Sequence, residues 1–378
     1  MKATTKPDRM DYADRANGTI GTAGTIGTNH TDKRKARAQK IRTTRPGRWE
    51  RFKRHRRGYV SLWIFGVLFV ISLLSEFVAN DRPILVRYDG KFYFPVFKNY
   101  SELVFDGEFD INADYRDPYI IERITAKGWI LKPPIGFSHN TINYNLPSPA
   151  PSPPGRENWF GTDDRGRDVA ARLLYGFRIS VLFGLTLTFF SSIIGVTLGA
   201  LQGYYGGKLD LVFQRFMEVW SGMPTLFLLI ILSSVIEPNF FWLLGITLLF
   251  GWMSLVGVVR AEFLRARNFE YVLAARAMGM RHSRIMFVHI LPNAMTSALS
   301  YLPFILGGSI TTLTSLDFLG FGLPVGSPSL GELLAQGKAN LQAPWLGIAA
   351  FVILALTLTL LVFIGEGIRD AFDPRRNV

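Results

Sequence analysis

Chemistry in a protein is carried by few residue types at few spacings, and this chain offers few of them. The five histidines are His30, His55, His139, His282 and His289. None stands in a His-Glu-x-x-His pattern or pairs with an acid at metal-ligand spacing. No Gly-x-Ser-x-Gly nucleophile turn occurs. With no cysteine in the chain, disulfides, thiol catalysis and Cys-ligated metal are excluded. Gly206-Gly207-Lys208 comes nearest to a phosphate-binding loop. It fails because Leu209 follows the lysine and Gln202 stands where the first glycine belongs. The residues predict no catalytic group, no metal and no cofactor in this chain, and no enzyme activity of its own.

Long uncharged runs dominate instead. The 48% apolar share is ordinary for a soluble protein, so distribution decides. A helix needs roughly 20 mostly apolar residues to cross a bilayer. Six stretches qualify: residues 59–79, 179–201, 216–236 (with Pro224 inside), 240–259, 294–316 and 345–365. The expected fold is an all-α polytopic membrane protein with six transmembrane helices. Glu76, Glu218 and Glu366 sit only near span ends, whereas ion-coupled transporters and pumps place ionisable groups inside the membrane. An energy source, where one is used, is expected on another subunit.

Lysine and arginine set the expected orientation. They crowd the tail before the first span, the segment 260–293 (Arg260, Arg265, Arg267, Arg276, Arg281, Arg284) and the C-terminus (Arg369, Arg375, Arg376). Six crossings put these segments on one side, with both termini cytoplasmic. The net charge of +13 thus flanks spans and meets anionic lipid headgroups of the bilayer. No nucleic-acid partner is expected, because no basic patch is interleaved with aromatics.

Five regions follow. Residues 1–57 form a basic, largely disordered tail, Gly/Thr-rich at first, with an imperfect repeat of Gly18-Thr19-Ile20-Gly21-Thr22 in Gly24-Thr25-Ile26-Gly27-Thr28. No short apolar core precedes a small-residue cleavage site, so no leader is expected. Residues 58–80 are the first anchor. Residues 81–177 form an extracytoplasmic α+β insertion between spans one and two. It has strand-like pieces at 91–97 and 119–125 and a stiff Pro-rich linker at 146–154. A short amphipathic surface helix is expected over 168–177. The insertion is either a lid or docking surface for a partner or a scaffold that braces the spans. Residues 178–366 make a five-helix core and 367–378 a cytoplasmic end.

The segment 260–293 is the most informative. Asn268 is a good N-cap, Glu270 complements the first turn, and Gly279 can take the left-handed conformation that ends a helix. A second short helix over 283–290 is expected to meet span five at Pro292. The first helix is expected to present Tyr271, Ala274, Ala275 and Met278 on or near one side, with small alanines allowing close approach of another protein. Periodicity alone leaves an ordinary loop helix resting on headgroups equally open.

Resemblance separates these readings. Tyr271-Val272-Leu273-Ala274-Ala275-Arg276-Ala277-Met278-Gly279, followed by His289-Ile290-Leu291-Pro292-Asn293, resembles the "EAA" coupling loop of ABC importer permeases. Leu273 stands where the pattern has Glu, as is common in the dipeptide and oligopeptide (DppC/OppC) type. Phe160-Gly161-Thr162-Asp163-Asp164-Arg165-Gly166-Arg167-Asp168, with Arg172-Leu173-Leu174-Tyr175-Gly176 and Arg178-Ile179-Ser180, resembles the entry to span two of that type. Gly203-Tyr204-Tyr205-Gly206-Gly207 with Asp210 and Arg215 resembles its first cytoplasmic link, Glu218 replacing the usual Asp. Phe318-Leu319-Gly320-Phe321-Gly322, Pro328-Ser329-Leu330-Gly331 and Ala343-Pro344-Trp345 resemble its last external link, with Leu330 where Trp is common. The enlarged insertion is most similar to the Yej-type peptide permeases.

The resemblance implies the type I ABC importer permease fold and ATP-driven, binding-protein-dependent import of peptides in a bacterial inner membrane. Expected substrates are oligopeptides and peptide-like antibiotics such as microcin C. Implied partners are a second homologous permease, two ATPase domains or subunits that hold ATP-Mg, and a periplasmic peptide-binding protein. The implied ATPase-coupling residues are Phe269, Glu270, Tyr271, Leu273, Ala274, Ala275, Arg276, Met278, Gly279 and Met280; no motif marks the substrate contacts. A self-contained channel or facilitator also needs no intramembrane charge, and the coupling-loop match is what distinguishes the two.

Overall fold

Asp168 starts one of the two longest helices. Its backbone is extended and its carboxylate accepts from the Ala171 N–H at 2.8 Å, satisfying one of the orphan donors of a helix start. In this computed structural model, which describes residues 47–233 and 236–372, that helix runs unbroken from Val169 to Tyr205, 37 residues. At 1.5 Å per residue it is about 55 Å long, well beyond the ~30 Å of hydrocarbon. The separate surface helix expected over 168–177 is therefore the first turns of span two. Nothing in Val169-Ala170-Ala171-Arg172-Leu173-Leu174-Tyr175 breaks a helix, and Gly176 is held against the Ser329 and Leu330 backbone.

Gly195, Gly199 and Gly203 lie one helical turn apart on this helix, facing the helix Met253–Ala266. A Cβ on Gly199 would stand 2.8 Å from the Val256 carbonyl oxygen, and one on Gly203 would stand 2.6 Å from that of Arg260. Small residues let membrane helices approach this closely. Gly199→Ala is expected to destabilise the fold by about 1–3 kcal/mol, because backbone atoms must move apart. A thermal melt of the detergent-solubilised variant that matches the native one would show that the contact is looser than drawn.

Among the described residues five helices are long and apolar enough to cross a membrane: Arg56–Leu73, Val169–Tyr205, Phe240–Ala266, His282–Phe318 and Pro344–Phe372. The stretch expected as the third span is not one helix. It is divided between Gly207–Ser221 and Thr225–Ser233, and residues 234–235 lie outside the described ones. Pro224 has no N–H to give a helix and pushes the residue before it out of helical geometry. Its carbonyl instead starts the next helix, accepting from Phe227 at 3.1 Å.

Pro292, by contrast, interrupts nothing. The expected junction between a short helix and span five is a π-helical stretch, Ile285–Ile290, within a continuous run. There Leu291 donates to Met286, five residues back. The wider turn makes room for a proline ring that would clash with a carbonyl in a regular α-helix.

Between the first two long helices lies a small sheet ordered β2-β1-β3, all pairs antiparallel: β1 (Leu85–Tyr88), β2 (Lys91–Tyr93) and β3 (Gly128–Leu131). Strand 91–97 was expected to be longer; β2 stops before Pro95. The expected strand at 119–125 is a helix, Pro118–Lys127. Its β-branched residues favour a strand locally, but Asp117 caps the Tyr119 N–H at 2.9 Å and Pro118 suits the first helical position. Ile120 and Ile124, four apart, then bury on one face with Val86, Phe105 and Tyr115. The tail before Gly47 and the end beyond Phe372, including Arg375 and Arg376, lie outside the described residues.

Candidate functional site

Helix Glu270–Ala277 begins one residue later than the N-cap expected at Asn268: Phe269 holds that position and supplies no side-chain cap. Glu270 occupies the first turn. At the other end Gly279 takes φ +73°. Its N–H donates to Arg276 at 2.9 Å and that of Met280 to Ala275 at 3.1 Å, the paired bonds of a Schellman closure. The left-handed glycine expected from the sequence is thus present.

The helix has two faces of different character. Val272 and Ala275 are buried in one cluster with Tyr204, Val259, Phe263, Ile285, Met286 and Ile290. Ala275 was expected on the outward side; instead it is a packing residue. With Val272 already inward, a residue three positions on must share its face. The outward face carries Tyr271, Leu273 and Met278, respectively 41%, 50% and 69% exposed. Phe269, Glu270, Ala274, Arg276 and Gly279 are also exposed and Met280 half-buried. Tyr271 and Leu273, two positions apart and so on different flanks of the helix, and Met278 just past its end give a partner three large exposed apolar side chains to contact.

Side chains from distant parts of the chain fix this helix. The Arg276 guanidinium lies 5.0 Å from the Tyr204 ring centroid, and the Tyr204 hydroxyl is 2.7 Å from His282 Nδ1. Asn293 donates to the Tyr271 hydroxyl at 3.4 Å. Arg260, at the base of the segment, is clamped by Asp210 through Nε and Nη2 at 2.5 and 2.6 Å, a fork-on-carboxylate geometry that sets direction as well as attraction. Sequence reasoning took Arg260 only as a topology charge and missed this pair. Asp210, an acid in a basic neighbourhood, was the available signal.

At the far end of the long helices, three stretches that are separate in sequence meet. Asp163 accepts from Arg167 Nε at 2.7 Å, and Arg172 donates to Glu332 at 2.7 Å and to the Ser327 carbonyl at 2.9 Å. Arg172 and Asp163 are fully buried and 3.4 Å apart. Asp168 accepts from Asn158 at 2.7 Å, and burial holds its carboxyl above the usual range. His139 packs its ring 4.5 Å from that of Tyr175; burial, and then the nearby Arg172, push its pKa down. This knot of charges ties the insertion to the helix Leu330–Ala339. His55 caps its own helix, accepting from Gly58 at 3.1 Å, and His30 lies outside the described residues.

Comparison with known proteins matches two families. Residues 195–378 fit the binding-protein-dependent transport system inner membrane component. Residues 47–94 fit the N-terminal TM domain of oligopeptide transport permease C. The chain is 66% identical over 324 residues to the inner membrane ABC transporter permease protein YejE of Escherichia coli, covering 86% of this chain and 95% of that protein. It is 56% identical over 346 residues to the peptidoglycan transport system permease protein YejE of Agrobacterium fabrum, covering 85% and 91%. With the oligopeptide transport system permease protein OppC of Haemophilus influenzae the identity is 36% over 258 residues, covering 68% and 81%.

Proposed function

The chain belongs to the peptide-type permeases of binding-protein-dependent ABC importers of the inner membrane, and on that premise we propose that helix Glu270–Ala277 is where an ATPase subunit drives it. The observation that carries this reading is the two-faced helix. Its exposed side chains Tyr271 and Leu273, with Met278 at its end, are available to a partner, while Val272 and Ala275 are packed into the same cluster as the ends of Met253–Ala266 and His282–Phe318. A push on the outward face therefore moves two membrane helices with it, because close-packed interiors transmit displacement rather than absorb it.

The working unit in this proposal is this permease, a second homologous permease, two ATPase domains or subunits and a periplasmic peptide-binding protein. ATP-Mg sits on the ATPases and supplies the driving force; this chain supplies the pathway and the mechanical input. It crosses six times, the third crossing divided between the end of Gly207–Ser221 and Thr225–Ser233, with both termini cytoplasmic and the sheet-bearing insertion outside. The charge pattern around the spans supports that orientation. ATP closes the ATPase pair, the coupling helix shifts, and the pathway opens outward to the loaded binding protein. Proposed substrates are oligopeptides, peptide-bearing cell-wall fragments (given the Agrobacterium fabrum relative's name) and peptide-like antibiotics such as microcin C.

Mild-detergent purification of the tagged chain from native membranes, with mass-spectrometric identification of stoichiometric partners, tests the assembly. A second permease and an ATPase with a complete phosphate-binding loop are the expected companions. Recovery of the chain alone, under conditions that keep other complexes whole, would replace this reading with a self-contained channel.

A further inference from the structure

A cavity of about 690 Å³ opens between Thr225–Ser233, the two segments of Phe240–Ala266 and the outer half of Leu291–Phe318. Among the described residues its walls are mostly apolar, with no acidic or basic side chain and eight hydroxyls. Five of these are already committed as donors to their own helices. Thr247 gives to Leu243 at 2.7 Å, Ser254 to Gly251 at 2.7 Å, and Ser309 to Ile305 at 2.9 Å. Thr311 gives to Gly307 and Thr312 to Gly308, both at 2.9 Å. A hydroxyl has one proton and two lone pairs. With the proton turned back to the helix, each of these side chains meets the cavity as an acceptor only.

We infer that this uncharged, hydroxyl-bearing groove is the surface along which the transported peptide passes, and that it holds the peptide by its N–H groups. The inference rests on the import reading above and deepens it. A peptide presents amide N–H groups and an N-terminal ammonium whatever its side chains, so five uncharged acceptors on a mostly apolar wall take many sequences. Each hydrogen bond is weak enough to release the guest, since one is worth only about 0.5–1.5 kcal/mol. Fixed charges would favour one substrate class and slow its exit. The five acceptors are drawn from three helical segments and converge on one concavity.

The test uses the complex purified from native membranes, reconstituted in proteoliposomes and supplied with binding protein, ATP and a labelled tripeptide. Thr311→Val with Thr312→Val keeps side-chain shape and removes two acceptors. Uptake is expected to fall about tenfold, the equivalent of two modest hydrogen bonds. Thr311→Ser with Thr312→Ser, which keeps the oxygens, is expected to stay within about twofold of native. Subunit recovery should be native for both. Native uptake by the valine variant, or equal losses in the valine and serine variants, would overturn the groove while leaving import intact. Loss of the second permease from the valine variant would make this face a packing interface instead. Absence of uptake by the native complex would overturn the import reading, and the groove with it.

Discussion

Gly279→Pro is expected to leave the chain inserted in the membrane and to abolish peptide uptake. The native φ of +73° is open to glycine and closed to proline, whose ring holds φ near −65°. Proline also deletes the N–H that bonds Arg276 at 2.9 Å. The helix then loses its closure, and the chain leaving it no longer turns toward His282. The cost is local, about 3 kcal/mol or more, and falls just past the end of an eight-residue helix, at a glycine with no atom within 4 Å of its Cβ position. Gly279→Ala separates the two causes. No atom lies within 4 Å of where its Cβ would stand, and the N–H survives, so only the left-handed strain of about 1–2 kcal/mol remains. Uptake by the alanine variant should be reduced and that by the proline variant absent. ATPase recovery with the purified permease should follow the same order. Normal uptake by Gly279→Pro would remove the coupling role from this helix.

Arg172→Met is expected to destabilise the protein by about 3–5 kcal/mol, a large share of the ~5–15 kcal/mol typical of a folded domain. Arg172 is fully buried between Asp163 at 3.4 Å and Glu332 at 2.7 Å, and it also donates to two backbone carbonyls of the 326–327 turn. Removing it leaves Asp163 buried with Arg167 as its remaining charged partner, and Glu332 with the longer contact to Arg167 at 3.3 Å and the Gln336 amide at 3.2 Å. The loss comes mainly from stranded charge rather than from the attraction forfeited. Adding Glu332→Met to Arg172→Met should therefore recover part of the loss, since it removes one stranded carboxylate. Thermal melting of the solubilised proteins reads both effects. A single variant as stable as native would mean that the knot contributes nothing, and a double variant worse than the single would mean that packing rather than charge dominates there.

The peptide family and most of the membrane helices were legible in the amino-acid order because both are written in contiguous signals. A span is an uninterrupted apolar run, and the segment that resembles a coupling loop is a motif of nine residues with a left-handed glycine at its end. Where local signals conflicted, long-range packing decided. Residues 119–125 have the side chains of a strand, yet Asp117, Pro118 and the burial of Ile120 and Ile124 make them helical. The run around Pro224 is apolar enough to cross, but a proline with no N–H divides it into two helices. Ala274 and Ala275 are indistinguishable by type, and only contact with Phe263 and Ile285 puts the second inside.

The amino-acid sequence by itself thus determined that this is a multi-span membrane protein and where the helix in segment 260–293 ends. Each of these rests on short-range chemistry: hydrocarbon length, charge at span ends, and the conformational freedom of one glycine. The tertiary structure alone decided that Asp210 holds Arg260 across 50 residues of sequence, that Arg172 meets Glu332 across 160, and that hydroxyls from separate helices open onto one groove. Such pairings depend on how whole helices are rotated and spaced against one another. That is set by many weak contacts at once, and no local run of residues encodes it.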